Sequence, residues 1–247
     1  MGQQRHESII DKLIVQIFNR ELKAGDKLPT ERELSKIFNV DRTSLRVALK
    51  QLQSMHLIDI RQGDGMYVKE FLDHAGIDFL ERLFLMDMNG HRDQVIDGYI
   101  YDELWEFWIE FLPTMLVVAA KNFSSRSIKE AISILDEELK HINDKDMIVS
   151  LELKGQELVA KATNNIMFIL LTNATREVRK KMLEKFVETV GIETVKEHNH
   201  LKKTMINAHF TGSMPEMIEA AGKYQNVLKQ LRMQMRRLAA PQTPKAP

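Results

Sequence analysis

The sequence contains no cysteine. This excludes disulfide scaffolds, thiolate metal centres and thiol nucleophiles, and it fits a reducing cytoplasm as the expected location. Glycine and proline are scarce, 11 and 6 in 247 residues, too few breakers for a loop-rich or all-β chain. Leu, Met, Glu and Lys are plentiful, so a mainly helical fold is expected. Charge is balanced, 35 basic against 35 acidic residues, which excludes a protein that coats nucleic acid by bulk charge. The longest apolar run, Phe111 to Ala120, contains Pro113 and is too short to span a bilayer. The opening residues are polar and lack the apolar stretch of a secretory leader. Met1-Gly2 begins like a myristoylation signal, but His6 stands where Ser or Thr is required. A chain of this length is expected to hold two domains.

The most informative stretch runs from Leu28 to Arg46, LPTERELSKIFNVDRTSLR. Thr30 with Glu33 has the spacing of a capping box, so a helix should begin there. Leu34, Ile37 and Phe38 give that helix one apolar face. Asn39 tolerates the left-handed conformation that ends a helix. Asp41 should cap a second helix, with Leu45, Ala48, Leu49 and Leu52 inward and Arg42, Thr43, Ser44 and Arg46 outward. A helix-turn-helix needs this arrangement, because the first turns of its second helix meet base edges in the major groove. A capped αα-hairpin inside a helical core would also satisfy the pattern.

The flanking residues favour the DNA-binding reading. Upstream, Ile9, Ile10, Leu13, Ile14, Ile17 and Phe18 predict an amphipathic helix over 7–22. Downstream, Leu57-Ile58-Asp59-Ile60 and Met66-Tyr67-Val68-Lys69 are strand-like runs around Arg61-Gln62-Gly63-Asp64-Gly65, a hairpin pattern. A hairpin directly after a helix-turn-helix is a wing. Residues 1–70 hold 12 Lys and Arg against 10 Asp and Glu. With so small a positive excess, affinity for DNA must come from placed residues and from doubling the site in a dimer.

Residues 7–69 resemble the winged-helix domain of the GntR family of bacterial transcription regulators. The resemblance is carried by Gly25 to Leu34, Val40 to Arg46, Ala48, Leu49, Leu52 and the wing Gly63-Asp64-Gly65-Met66-Tyr67-Val68. It implies that Arg32, Arg42 and Arg46 contact operator DNA, with Thr43 and Ser44 on phosphate or base edges and Gln62 and Gly63 at the wing. Glu31 and Glu33 are read as cap and packing groups.

Beyond the wing, Phe71 to Leu85 predicts a linking helix, and Met88-Asn89-Gly90-His91 a break. Helices are expected near 93–122, 127–142, 146–163, 165–187, 192–210 and 214–237, the second opened by a Ser127/Glu130 capping box. The expected organisation is a winged helix over 1–70, a linker helix over 71–91, an all-helical effector and dimerisation domain over 92–238 and a disordered tail over 239–247. This order resembles the FadR subfamily.

Many helical domains of that subfamily hold a divalent metal with one Asp and three His. By the resemblance those positions fall at Glu152, Gln156, near Lys202 and near Tyr224, so three of the four ligand types are replaced and no metal is expected. His198, His200 and His209 lie nearby and are read as surface residues. Trp108 stands where much of the subfamily has an Arg suited to a carboxylate effector, and Leu112 where it has a Glu. Trp105, Phe107, Phe111 and Met115 surround them, which reads as a packed core or as an apolar ligand cavity.

The subfamily's fatty-acid regulator also lacks the metal set and binds long-chain acyl-CoA. This chain is similar to it in length and in Gly76-Ile77-Asp78-Phe79-Leu80. In the acyl-CoA segment Gly222 matches, whereas Ala221, Lys223, Tyr224, Gln225 and Lys229 do not. The implied effector is therefore an acyl-CoA or another apolar ligand, contacting Trp105, Trp108, Met115, Glu152, Gln156, Gly222 and Tyr224. The implied partners are double-stranded operator DNA and a second copy, with no membrane, and the chain acts as a repressor or activator. A metal-bound or small carboxylate effector is the alternative. An enzyme reading, a metal-assisted hydrolase using Glu152, Glu157 and the histidines, lacks any catalytic motif.

Overall fold

The computed structural model describes residues 2–86, 98–211 and 214–239. The expected break at 88–91 and the expected tail lie outside these residues, apart from Ala239. The chain divides into two compact units, Met1–Val95 and Ile96–Pro247.

The first unit runs α1 (Gly2–Phe18), α2 (Glu31–Ile37), α3 (Arg42–Ser54), β1 (Ile58–Arg61), β2 (Gly65–Val68), α4 (Phe71–His74) and α5 (Ile77–Met86). Its core forms where the apolar stripe of α1, Ile9 to Ile17, meets Leu45, Ala48, Leu49 and Leu52 of α3, all buried. The capping box at α2 is complete: Thr30 Oγ1 accepts from the Glu33 N–H, and Glu33 accepts from the Thr30 N–H. Asn39 follows at φ 51°, the left-handed turn expected of it. Asp41 caps α3 by accepting from the Ser44 N–H at 2.8 Å.

β1 and β2 pair antiparallel, with Ile58 opposite Val68 and Ile60 opposite Met66. The segment before α2 extends this ribbon, since the Leu28 N–H donates to the Met66 carbonyl and the Gly25 N–H to the Val68 carbonyl. Gly65 adopts φ 144°, a conformation that L side chains rarely reach, so glycine is favoured there, with the end of the Lys27 side chain lying over it.

α1 stops at Phe18 rather than 22, and Arg20 turns the chain at φ 60°. The single linking helix expected over 71–91 is two helices, because extended Ala75 (ψ 150°) separates α4 from α5. α5 is fastened within this unit by Arg82, whose guanidinium lies 2.6 Å from the Asp11 carboxylate of α1.

The second unit is all helical among the described residues: α6 (Gly98–Ala120), α7 (Ser125–Lys140), α8 (Lys145–Ala162), α9 (Ile166–Ala174), α10 (Arg176–Thr211) and α11 (Met214–Ala239). Gly191, at φ 79° and ψ 167°, interrupts α10. The cap of α7 is Ser124, three residues before the expected Ser127; its Oγ accepts from the Ser127 N–H. The helix expected over 165–187 is broken at Thr175, whose hydroxyl donates back to the Leu171 carbonyl and closes α9. α6 and α11 are clamped by Asp102, which accepts paired bonds from Arg232 and Arg236. Trp105, Trp108, Leu112, Leu153, Met182 and Phe186 lie at the centre of the core.

Candidate nucleic-acid interface and ligand cavity

In the first unit the α3 cap decides which side chains face solvent. Leu45, Ala48 and Leu49 are buried, so the opposite face carries Arg42, Thr43 and Arg46, all exposed. Four N–H groups at a helix start lack intrahelical partners and favour anions. Asp41 already takes one of them, and the Ser44 N–H and hydroxyl hold its carboxyl below the usual range. Ser44, expected on DNA, thus has its hydroxyl committed to the cap. Arg32 is exposed on α2, and Gln62 and Gly63 are exposed at the hairpin tip, where Gly63 adopts φ 78°.

Arg46 is not free. Its Nε donates to Glu31 Oε2 at 2.9 Å, so Glu31 is a charge partner rather than the cap or packing group expected. Arg61 stacks on Tyr67 with its guanidinium 4.5 Å from the ring centre, and the Tyr67 hydroxyl donates to Asp64 at 2.9 Å. These contacts stiffen the wing without engaging Gln62 or Gly63.

The second unit contains a cavity of about 140 Å³. Leu112, Leu116, Ile134, Val159, Met205 and Met217 are among its apolar walls, while Glu138, Glu152, Gln156, Lys202 and Tyr224 line its polar part. The four positions marked by the family resemblance, Glu152, Gln156, Lys202 and Tyr224, therefore come together from α8, α10 and α11. Lys202 Nζ lies between two buried carboxylates, 3.2 Å from Glu138 Oε2 and in closer contact with Glu152 Oε1. Asn199 adds an N–H to Glu138 Oε2 at 2.7 Å. Burial and the neighbouring Glu152 raise the Glu138 pKa. Burial opposes the charge on Glu152 too, but Lys202 and His198 outweigh it and hold that carboxyl low.

His198 is buried rather than on the surface. Its Nε2 is 2.9 Å from the Tyr224 hydroxyl, its Nδ1 is 3.6 Å from Glu152, and burial lowers its pKa. His200 is exposed, as expected; the side chain of His209 lies outside the described residues.

Trp105, Trp108 and Met115 are placed differently from the ligand-contacting role given to them. Met115 is fully enclosed, and the two indoles border a void of about 20 Å³ rather than the larger cavity, room for a water-sized molecule at most. Aromatics at helical spacing have here made core. Gly222 is exposed and does not line the cavity. Glu157, named in the hydrolase alternative, pairs instead with Arg176 at 3.2 Å.

Arg179 had no assigned role. It is fully buried under the Trp108 ring, 5.4 Å from its centre, and donates to Gln156 Oε1, to the Thr172 carbonyl and to Thr175 Oγ1. Burial lowers its pKa to about 10. Its sequence signal was phase: Arg179 falls in register with Thr175, Met182 and Phe186, on the face where α10 is apolar. Glu138 is likewise in phase with Ile134 and Leu135.

The sequence model of the family described as "Bacterial regulatory proteins, gntR family" matches residues 5–68. The HTH-type transcriptional regulator Mce2R of Mycobacterium tuberculosis is 27% identical over 187 residues, covering 74% of each chain. The fatty acid metabolism regulator protein of Edwardsiella ictaluri is 39% identical over 88 residues, 36% of each chain. Among solved structures, the Listeria monocytogenes protein described as "Lar controls the expression of the Listeria monocytogenes agr system and mediates virulence" superimposes with a TM-score of 0.53 at 13% identity, over 94% of this chain and 97% of that one. That likeness concerns the fold alone. The two relatives matched in sequence are named as regulators, and nothing in the comparisons supports the hydrolase alternative. Residues 5–68 thus carry the winged helix of the GntR family of bacterial regulatory proteins, and the relatives that the chain matches in sequence are named as transcriptional regulators.

Proposed function

We propose that the chain binds a two-fold-symmetric operator as a homodimer, and that a small effector in the helical cavity changes its occupancy. The observation that carries the DNA reading is the outward cluster Arg42, Thr43 and Arg46 on the first turns of α3, in a domain whose wing presents an exposed Gly63. Arg donates paired bonds to guanine, and a hydroxyl suits phosphate or a base edge. Arg32 and Gln62 add backbone contacts. Dimerisation doubles these contacts and offsets the weak positive excess of the domain.

α9 supports the dimer. Ile166, Met167 and Leu170 are each more than half exposed on one short helix, an apolar face that a second copy would cover. The effector reading rests on a largely apolar, partly open cavity with polar groups at one part of its wall. A coupling of about 1–3 kcal/mol between the two sites would change occupancy by about 5- to 150-fold.

A divalent metal does not suit the donor set. Lys202 supplies a cation within reach of both carboxylates, where a metal ion would be repelled. A long-chain acyl-CoA would fit inside only in part, since a cavity of about 150 Å³ holds a molecule the size of benzene. Cytoplasmic location is part of this proposal; among the described residues no helix is long and apolar enough to cross a membrane.

The test is selection of bound duplexes from a random-sequence library by the full chain. The expected result is an enriched inverted repeat that takes up two chains per duplex. Recovery of no preferred sequence would overturn the DNA reading, and uptake of one chain per site would overturn the dimer.

A further inference from the structure

The polar part of the cavity has a charge pattern that restricts what can bind there. Its lining groups include two carboxylates, Glu138 and Glu152, and one ammonium, Lys202. His198 adds no positive charge, because burial favours its neutral form, and burial keeps Tyr224 a neutral phenol. Lys202 balances the ionised Glu152, and Glu138, its pKa raised to about 7, is only partly ionised at neutral pH. The lining therefore offers no spare positive charge, and its only ammonium is already engaged by both carboxyl groups.

Gln156 is oriented by Arg179. A guanidinium only donates, so the amide oxygen of Gln156 must face Arg179 and its NH2 must point elsewhere. Gln156 lines the cavity and the small void beside it, so its NH2 is the group it has left to offer a ligand there. On Glu152, Lys202 and His198 both engage Oε1, while Oε2 has no hydrogen bond among the described residues. A donor from Gln156 and an acceptor from Glu152 thus lie in a cavity whose remaining walls are apolar and whose volume is about 140 Å³.

We infer that the effector is a small, mainly apolar molecule about the size of one ring, with a neutral or cationic hydrogen-bond-donating head, an alcohol or an amine, and that the site rejects carboxylates. The head donates to Glu152 Oε2 and, where it has an oxygen, accepts from Gln156. A carboxylate head would share the cavity with the ionised Glu152, and it would gain Lys202 only by taking that ammonium from a buried carboxylate. Leaving a buried charge unpaired is costly. This inference rests on the reading of the cavity as the effector site.

Three probes of matched shape separate the possibilities: benzyl alcohol, benzylamine and benzoate, titrated calorimetrically into the full chain. The alcohol and the amine are expected to bind at least about tenfold more tightly than benzoate, the factor that corresponds to one pKa unit of differential interaction. Glu152→Gln should reduce the preference for benzylamine over benzoate by about tenfold. Benzoate binding as tightly as the alcohol, or none of the three binding, would overturn the ligand assignment, and the wild-type series alone suffices if the variant fails to fold. Affinity for the selected operator, measured on the same preparation without ligand, tells the two failures apart. Sequence-specific DNA binding with no discrimination among the probes removes only the ligand assignment, whereas loss of specific DNA binding removes the regulator reading itself.

Discussion

The double substitution Arg42→Ala, Arg46→Ala is expected to reduce operator binding to the level of arbitrary DNA while leaving the melting temperature almost unchanged. A paired Arg contact to a base is worth about 1–3 kcal/mol. On a two-fold site the double variant removes four of them, about 4–12 kcal/mol in sum. The usual separation between specific and non-specific binding is about 4–10 kcal/mol, so the loss is large enough to consume it. Stability should hold because both side chains are exposed, and the one ion pair broken, Arg46 with Glu31, is a surface pair. Fluorescence anisotropy on the selected duplex and on a scrambled one, together with a thermal melt, checks both halves. The Glu31 contact adds a sign: Glu31→Gln releases Arg46 and removes a negative charge beside the phosphates, so it should strengthen binding.

The second large effect falls on the helical domain. Trp108→Ala should destabilise it by about 3–5 kcal/mol, the usual cost of truncating a buried aromatic. Trp108 is 2% exposed, packs against Phe111 at 5.4 Å between ring centres and covers the guanidinium of Arg179. Its loss opens a void and also removes the cover from a buried cation. Its partners on the polar side, Gln156, Thr172 and Thr175, are all uncharged. For a domain of this size the shift in melting temperature is roughly 6–20 °C. The probe series should separate this role from that of a cavity wall. Were Trp108 part of the ligand site, the variant would melt near the wild type and differ chiefly in its ligand affinities.

The contrast between the two domains shows what a sequence reveals. The helix-turn-helix was legible because its signals are local. Thr30 and Glu33 are three residues apart, Asp41 and Ser44 likewise, and each pair closes its own helix start. The hairpin was legible for the same reason, through alternation around Gly63 and Gly65. Local signals also misled by one turn where they were redundant, since Ser124 and Ser127 both suit an N-cap and Ser124 takes the role. The break at Thr175 was hidden because a hydroxyl bonding back to Leu171 has no distinctive spacing.

The ligand cavity was partly legible. Family resemblance pointed to Glu152, Gln156, Lys202 and Tyr224, and all four line it. Glu138 completes the charge cluster from α7, and no short motif joins residues 138, 152 and 202. The aromatic residues of α6 drew attention because they are large and clustered, yet size made them core. Arg179 was not legible because it stands beside Arg176, Lys180 and Lys181, a basic run of the kind that ordinarily faces solvent. Here it is fully buried, with hydrogen-bond acceptors from α8 and from the end of α9.

The central claim is that the first turns of α3 read bases in the major groove. Its most direct test is a position-by-position base-substitution profile of the operator, measured with the wild type and with Arg42→Ala. The account predicts that discrimination at one base pair in each half-site falls by about 1–3 kcal/mol while the other positions keep their preferences. A uniform loss of affinity with the profile intact would contradict it, because Arg42 would then contact only the phosphate backbone.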